Sequence, residues 1–557
     1  MNSIFKLSKQ SQANTKKRFY FNCSANAFVI LMACYYGLII NIPFMYGAFS
    51  AITSLHTFSW LFLFSVPLLL VCLLVIFFSL VSVRGLLKPI NYLLLVLSSA
   101  ALYGSLNYGV VFDYSMIQNA AETDSSEALS YLNLQLVGFL VLFGALPAFV
   151  LSRINVNCAR PHKEILSRIK LLLACGALIA LVVVNFYADY AATGRNNRIL
   201  KKEIIPFQYL SSGYKYARDQ LLYSDIKFKN IDTTPTLASP STTLVTVIVV
   251  GETARAKNFS YQGYERNTNQ YTQKHNVTYF DNVSSCGTAT AVSVPCMFSL
   301  QTHANFSRLD SDNQQNVIDL IQQAGADVLW VDNNSGCKNV CSRVPTINID
   351  SKASELCDGK YCFDEALLAP LKHKLANLNQ ANTLIVLHMM GSHGPTYFKR
   401  YPEKFKQFSP TCDRSDIQNC SAEELVNTYD NTIAYSDFIN AQVIEQLKAL
   451  PANIDKQLLY VSDHGESLGE NGAYLHGFPY AFAPTAQTHV PLYIWADEHN
   501  QRITAKCLNN LNSTLAQSHD AIFHTLLNLT GVASKTYQTS EDLLASCQTI
   551  NHSETKI

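Results

Sequence analysis

At 557 residues the chain exceeds what one compact core usually holds, so two or more domains are expected. The formal net charge is +1 and only 15% of residues are charged, which excludes a nucleic-acid footprint at whole-chain level. Apolar residues concentrate before residue 190, whereas the chain from about 240 onward has the composition of an ordinary water-soluble domain.

In chain order, apolar stretches long enough to span a bilayer lie near 22–42, 58–83, 90–106, 132–151 and 171–188. Ser98, Ser99 and Ser105 interrupt the third. Lys6, Lys9, Lys16, Lys17 and Arg18 precede the first stretch, Arg84 and Lys88 follow the second, and Arg153, Arg160, Lys163, Arg168 and Lys170 follow the fourth. The alternate loops hold Asp113, Glu122, Asp124 and Glu127 and no Lys or Arg. Basic loops stay cytoplasmic, so the amino terminus is expected inside and five spans put the large domain outside. The first stretch is long and lacks a small-residue cleavage pattern, which favours an uncleaved anchor over a signal peptide.

The outside loop at 107–131 has helical spacing, which would bring Asn119, Thr123 and Glu127 onto one polar face. Such a face could accept hydrogen bonds from a lipid head group; a solvated connecting helix is the plainer alternative. Residues 190–225 mix aromatic and basic side chains, as segments at a membrane interface do, though a simple linker would serve as well. The Pro/Ser/Thr-rich run at 233–243 ends that linker. The expected division is a transmembrane domain at 1–190, interfacial helices and linker at 191–241, and an outer catalytic domain at 242–557.

Beyond it, LVTVIVVGE (244–252), ADVLWVDNN (326–334), TLIVLHMMGSH (383–393), KQLLYVSDH (456–464) and VPLYIWADE (490–498) are short β-rich runs that end in polar residues. Helical patterns at 315–323 and 421–449 lie between them. Buried strands alternating with helices indicate an α/β domain with a mostly parallel sheet. Ten of the fifteen cysteines lie beyond residue 280. Cys286/Cys296, Cys337/Cys341, Cys357/Cys362 and Cys412/Cys420 are close enough to close small disulfide loops in an oxidising compartment, with zinc knuckles as the alternative. Cys507 and Cys547 are left over.

Ligands of open α/β sheets bind outside the carboxyl ends of the strands. Here those ends carry Glu252, then His388 and His393, then Asp463 and His464. Carboxylates with imidazole suit zinc. The segment VSSCGTATAVSVPCMFSL (283–300) gathers small residues and hydroxyls ahead of an apolar, helix-like run. A hydroxyl at a helix amino terminus is placed to meet phosphate, and a neighbouring metal makes it a nucleophile. Ser285, Thr288 and Thr290 are all candidates, against the plainer reading of a capped and stapled loop.

VVGETARAKNFSYQGYERNTN, SSCGTATAVSVPCMFS, NNSGCKNVCSRV, HMMGSHGPTYFKRYP, YDNTIAYSDFI and YVSDHGESLGENGAYLHG resemble the signature blocks of lipid A phosphoethanolamine transferases. That family includes the mobile colistin-resistance enzymes and belongs to the alkaline phosphatase/sulfatase-like superfamily. The resemblance implies a five-span helical membrane bundle plus a periplasmic α/β domain of that fold, in the bacterial inner membrane. It selects Thr290 as nucleophile and assigns Glu252, Thr290, Asp463 and His464 to one tightly held zinc ion. His393 and His476 match histidines that meet substrate or hold a second zinc, and Lys338 and Arg400 match residues that meet phosphate or head groups. It also supports Asn119, Thr123 and Glu127 as contacts for the donor lipid. No role is assigned to His388, His489 or His499.

The implied reaction is ping-pong: phosphoethanolamine passes from phosphatidylethanolamine to Thr290 with loss of diacylglycerol, then to a phosphate of lipid A, lowering susceptibility to polymyxins. A core-sugar acceptor and a zinc phosphodiesterase are the rivals. The expected partners are these lipids and the inner membrane, with no nucleic acid, and the working protein is expected to be a monomer.

Overall fold

The computed structural model describes residues 6–7, 20–54, 59–81, 85–123, 125–222, 226–237, 243–352, 355–378, 382–511 and 514–547. Lys9, Lys16, Lys17, Arg18, Arg84 and Asp124 lie outside the described residues. Two compact units result, one of Met1–Tyr114 with Leu132–Tyr214 and one of Ser115–Tyr131 with Lys215–Ile557.

In the first unit Trp60–Val81, Leu87–Tyr108, Leu134–Ser152 and Pro161–Asn196 are each long and apolar enough to cross a membrane. Ala25–Ile40 and Ile42–Thr53 meet at 61°, so the count is four spans, or five if the bent pair is one. A helix satisfies its own backbone groups, which is what a bilayer demands. Leu134 and Val184 are 88% and 81% exposed, a cost in water that vanishes against lipid. Pro43, which has no N–H to continue the ladder, stands at the start of the second helix, and Asn41 holds the bend. Asn41 is fully buried; its amide donates to the carbonyls of Tyr36 (2.9 Å) and Ile205 (2.6 Å) and accepts the Ile205 N–H (2.8 Å). Serines do not disqualify the third span, because they turn inward: Ser98 meets the Tyr209 hydroxyl at 3.0 Å, and Ser99 donates to the Val96 carbonyl at 2.8 Å.

The second unit is built on a seven-stranded sheet. Its strands are β1 (Thr243–Gly251), β2 (Thr278–Phe280), β3 (Asp327–Asp332), β4 (Thr346–Asn348), β5 (Asn382–His388), β6 (Ile454–Ser462) and β7 (Leu492–Ala496). Their order is β2-β7-β6-β1-β5-β3-β4, parallel from β6 to β4, with β7 antiparallel to both of its neighbours. Every residue of β5 is buried, as expected of a parallel strand covered on both faces. The register sets Ser462 beside Gly251 and His388 beside Val250, so the polar residues that follow β1, β5 and β6 emerge at one edge.

Helices α1 (Thr290–Met297), α2 (Val317–Gln323), α3 (Ala422–Lys448) and α4 (Asp520–Thr530) accompany the sheet. Both α2 and α3 start in capping boxes, Asn316 with Asp319 and Ser421 with Glu424, which fixes their first turns from sequence alone. Five disulfides join Cys286–Cys296, Cys337–Cys341, Cys357–Cys362, Cys412–Cys420 and Cys507–Cys547. Among the described residues Cys23, Cys34, Cys72, Cys158 and Cys175 are free thiols, and all belong to the first unit.

Candidate metal and nucleophile site

The strand-end residues converge. One ligand atom from each of Glu252, Asp463 and His464 lies within 4.8 Å of the others, and all three side chains are fully buried. Glu252 directly follows β1, and Asp463 and His464 directly follow β6. Gly391, at φ +50°, closes the site from the β5 side. A side chain there would meet the Glu252 carbonyl at 2.7 Å, so close approach as well as conformation requires glycine.

Thr290 opens α1, and its hydroxyl lies 3.1 and 3.2 Å from the two Glu252 oxygens and 3.3 Å from His464 Nε2. The other two candidate hydroxyls are occupied elsewhere. Ser285 donates to the Gly287 carbonyl and Thr288 to the Phe478 carbonyl, each at 2.6 Å. The Cys286–Cys296 bond staples the turn before α1 to the end of the helix.

The donor set fits a divalent cation. His464 Nδ1 donates to the Gly465 carbonyl at 2.9 Å, which turns Nε2 toward Glu252 and Asp463. Asp463 Oδ1 accepts the N–H groups of Thr253 and His464 at 3.0 and 2.7 Å, while Oδ2 is buried with no hydrogen-bond partner among the described residues. Burial would raise the Glu252 carboxyl, but His393, then His464, outweigh it and hold it at about 2. Burial and the nearby Glu252 charge push Asp463 up to about 6. Two acids crowded in a buried site favour a positive charge between them.

A second group of polar residues adjoins. The rings of His464 and His476 have centroids 4.5 Å apart, and those of His393 and His476 are 5.8 Å apart. His476 Nδ1 is 3.3 Å from Glu466 Oε2, and burial pushes that carboxyl well above its ordinary range. Arg400 donates to the His393 carbonyl at 2.7 Å and lies 4.2 Å over the Tyr361 ring, so in this arrangement it supports the His393 turn from behind. Lys338 donates to the carbonyl and hydroxyl of Ser335 at 3.1 and 2.9 Å.

Segment Ser115–Tyr131 belongs to this same unit. Its first helix ends at Glu122 and a second, Ser125–Ser130, begins beyond it. The single polar face expected through Asn119, Thr123 and Glu127 is therefore interrupted. Thr123 returns its hydroxyl to the Asn119 carbonyl at 2.7 Å. The Glu127 side chain lies outside the described residues.

Several residues that sequence patterns did not single out organise the site. Arg308 meets Glu122 of that segment at 3.4 Å, the Lys338 carbonyl at 3.2 Å, Asp312 at 2.9 Å and the Ala291 carbonyl, which adjoins Thr290. Asn334 donates to Glu252 Oε2 at 2.7 Å and to the Met389 carbonyl at 2.8 Å. Asp332 orients the loop of Asn334 by accepting its N–H at 2.9 Å, and pairs at 2.9 Å with His388, which thereby gains a structural place.

His519 accepts the Cys286 N–H at 3.1 Å and donates to the Ser462 carbonyl at 3.0 Å, tying the turn before α1 to β6. Burial holds His519 neutral, down to about 3, and does the same to His524, down to about 4. A histidine depressed on folding takes up its proton only when the chain unfolds, so stability is full above pH ~6.5 and falls as pH drops toward the folded value. His519→Gln in the detergent-solubilised protein is expected to remove a slope of about 1.4 kcal/mol per pH unit from the acid limb of the unfolding free energy. Identical acid limbs in the two proteins would refute it.

Comparison with known proteins agrees with this geometry. Residues 245–532 match the sulfatase family model and residues 70–221 the phosphoethanolamine transferase EptA/EptB model. The chain is 40% identical over 536 residues to phosphoethanolamine transferase EptA of Escherichia coli (strain K12), covering 94% of this chain and 97% of that one. It belongs to the EptA phosphoethanolamine transferase family. Phosphatidylethanolamine transferase Mcr-1 of Escherichia coli is 37% identical over 469 residues, covering 81% and 85% of the two chains. The solved integral membrane lipooligosaccharide phosphoethanolamine transferase A of Neisseria meningitidis superposes with a TM-score of 0.89 at 34% identity, covering 95% of this chain and 99% of that one. The protein is thus a phosphoethanolamine transferase, an integral membrane enzyme with a sulfatase-like periplasmic catalytic domain.

Proposed function

We propose that the enzyme moves phosphoethanolamine from phosphatidylethanolamine to a phosphate of lipid A through a covalent intermediate on Thr290, releasing diacylglycerol. The observation that carries this is the Thr290 hydroxyl, within 3.3 Å of both Glu252 and His464 at the first position of a helix. Two relatives point to the lipids: Mcr-1 is a phosphatidylethanolamine transferase, and the Neisseria meningitidis enzyme is a lipooligosaccharide phosphoethanolamine transferase.

Glu252, Thr290, Asp463 and His464 would hold a zinc ion. Bound there, zinc would lower the proton affinity of a neighbouring hydroxyl and offset phosphate charge. Thr290 Oγ1 bonds to phosphorus as the bond to the diacylglycerol oxygen breaks, and the threonine proton leaves on diacylglycerol. A phosphate oxygen of lipid A then bonds to that phosphorus, the Thr290 ester breaks, and the acceptor's proton restores the hydroxyl. His393, His476 and Lys338 hold the phosphoryl oxygens, with the amino terminus of α1 adding N–H groups, and Arg400 keeps His393 in place. Asn119, Thr123 and Glu127 receive the ethanolammonium of the donor.

The added amine offsets negative charge on the outer surface and weakens attraction for cationic peptides such as polymyxins. This reading takes the enzyme as a monomer in the bacterial inner membrane, with its transmembrane domain at 1–190, interfacial segment at 191–241 and catalytic domain at 242–557. Mass spectrometry of lipid A from cells lacking other such transferases tests it. Wild-type protein should add one phosphoethanolamine group to lipid A, and Thr290→Ala none. Head group on a core sugar would change the acceptor, and free phosphoethanolamine in water would make the protein a phosphodiesterase.

A further inference from the structure

We propose that Thr253 is a positioning residue that locks both carboxylates of the metal site, Glu252 and Asp463, into one geometry. The inference rests on the assignment of those two acids as ligands. Thr253 follows Glu252 in the chain, is fully buried, and has φ +58°. A β-branched residue is a rare occupant of that left-handed region, where glycine or asparagine would be at ease. Such a conformation persists only when its surroundings over-determine it.

The surroundings here do so group by group. The Thr253 N–H donates to Asp463 Oδ1 at 3.0 Å, and its carbonyl accepts the Tyr429 hydroxyl at 2.8 Å. The next N–H, of Ala254, donates to the Ser462 hydroxyl at 2.9 Å, and that of Arg255 to the Tyr429 oxygen at 3.0 Å. Tyr429 opens the YDNTIAYSDFI block on α3, a motif that contributes no group to the chemistry. Its place in the site is to hold this turn.

What threonine adds over glycine is its hydroxyl, which donates to Glu252 Oε1 at 2.5 Å. Asn334 holds the other Glu252 oxygen at 2.7 Å. One residue therefore touches both acids, through its backbone on Asp463 and through its side chain on Glu252. With Oδ1 of Asp463 taken by two N–H groups, Oδ2 is the oxygen left for a cation. Ligands fixed in this way need less reorganisation on binding metal, which is how groups behind a metal's ligands tune affinity.

Thr253→Val keeps the shape, the β-branch and the N–H but removes the hydroxyl, whereas Thr253→Ser keeps the hydroxyl. Zinc affinity of the purified full-length protein, measured by competition with a chromophoric chelator, should fall about 10- to 100-fold in Thr253→Val. Thr253→Ser should bind zinc nearly as tightly as wild type. Tyr429→Phe, which withdraws the hydroxyl from the Thr253 carbonyl, should weaken zinc in the same direction and serves if Thr253→Val fails to fold. Equal zinc affinity in wild type and Thr253→Val, or a loss of thermal stability alone, would overturn the proposal and leave the ligand assignment standing. Wild-type protein that binds no zinc would overturn the ligand assignment, and this inference with it.

Discussion

Thr290→Ala is expected to lower transfer by roughly a thousandfold or more while leaving the fold and the metal content of the enzyme largely unchanged. The hydroxyl is the atom lost, and it is the one lying among Glu252 and His464 at 3.1 to 3.3 Å. Three further donors, from Glu252, Asp463 and His464, remain to hold a cation. The turn itself is kept by the Cys286–Cys296 bond and by His519. Thr288→Ala should cost far less, because its hydroxyl is committed to the Phe478 carbonyl and its loss removes a bond worth about 1 kcal/mol. Transfer assayed with labelled donor lipid, alongside elemental analysis, separates the two variants. If Thr288→Ala were the dead one, the nucleophile assignment would be wrong. Intact-mass analysis of the wild type given donor but no acceptor should find phosphoethanolamine on the peptide containing Thr290, and Thr290→Ala should carry none.

The legible parts of this chain were those governed by short-range rules. Apolar length gave the spans, and a run such as NTLIVLH, buried on both faces, could only be an inner strand. The strand-end rule then collected Glu252, Asp463 and His464 from positions more than two hundred residues apart. Composition alone could not choose among Ser285, Thr288 and Thr290, since all three are hydroxyls in one flexible-looking turn. The choice came from the resemblance, and the geometry adds a physical distinction: Ser285 and Thr288 donate to backbone carbonyls, whereas Thr290 faces the Glu252 carboxylate.

Other features escaped because they depend on the partner rather than the pattern. Strands β2 and β4 have three residues each, too few for any period to register. His519 resembles any buried histidine until the Cys286 N–H and the Ser462 carbonyl are found on its two nitrogens. Arg308 lies 186 residues from Glu122, and nothing local marks the pair. The single helix expected through segment 107–131 is instead two, Tyr114–Glu122 and Ser125–Ser130. Periodicity counts positions but does not locate the break between them.

Removing metal with a strong chelator is expected to abolish transfer reversibly and to lower the thermal stability of the catalytic domain. Without a cation, Glu252 and Asp463 are left as two buried acids close together, their repulsion eased by nearby histidines and hydrogen bonds. Asp463 Oδ2 then has no hydrogen-bond partner among the described residues, a costly state for a buried carboxylate oxygen. A cation that binds the folded site and not the unfolded chain adds stability by mass action, about 2.7 kcal/mol when its free concentration is a hundred times the dissociation constant. Thermal midpoints should therefore rise with added zinc in the wild type. Asp463→Asn removes one negative charge but keeps an oxygen that can accept the N–H groups of Thr253 and His464. It should fold, lose most of its zinc affinity, and show a midpoint that barely responds to zinc or to chelator. Full transfer by protein shown to be metal-free would refute the metal assignment outright. A zinc-dependent midpoint that survives in Asp463→Asn would move the cation away from Asp463, toward His393 and His476.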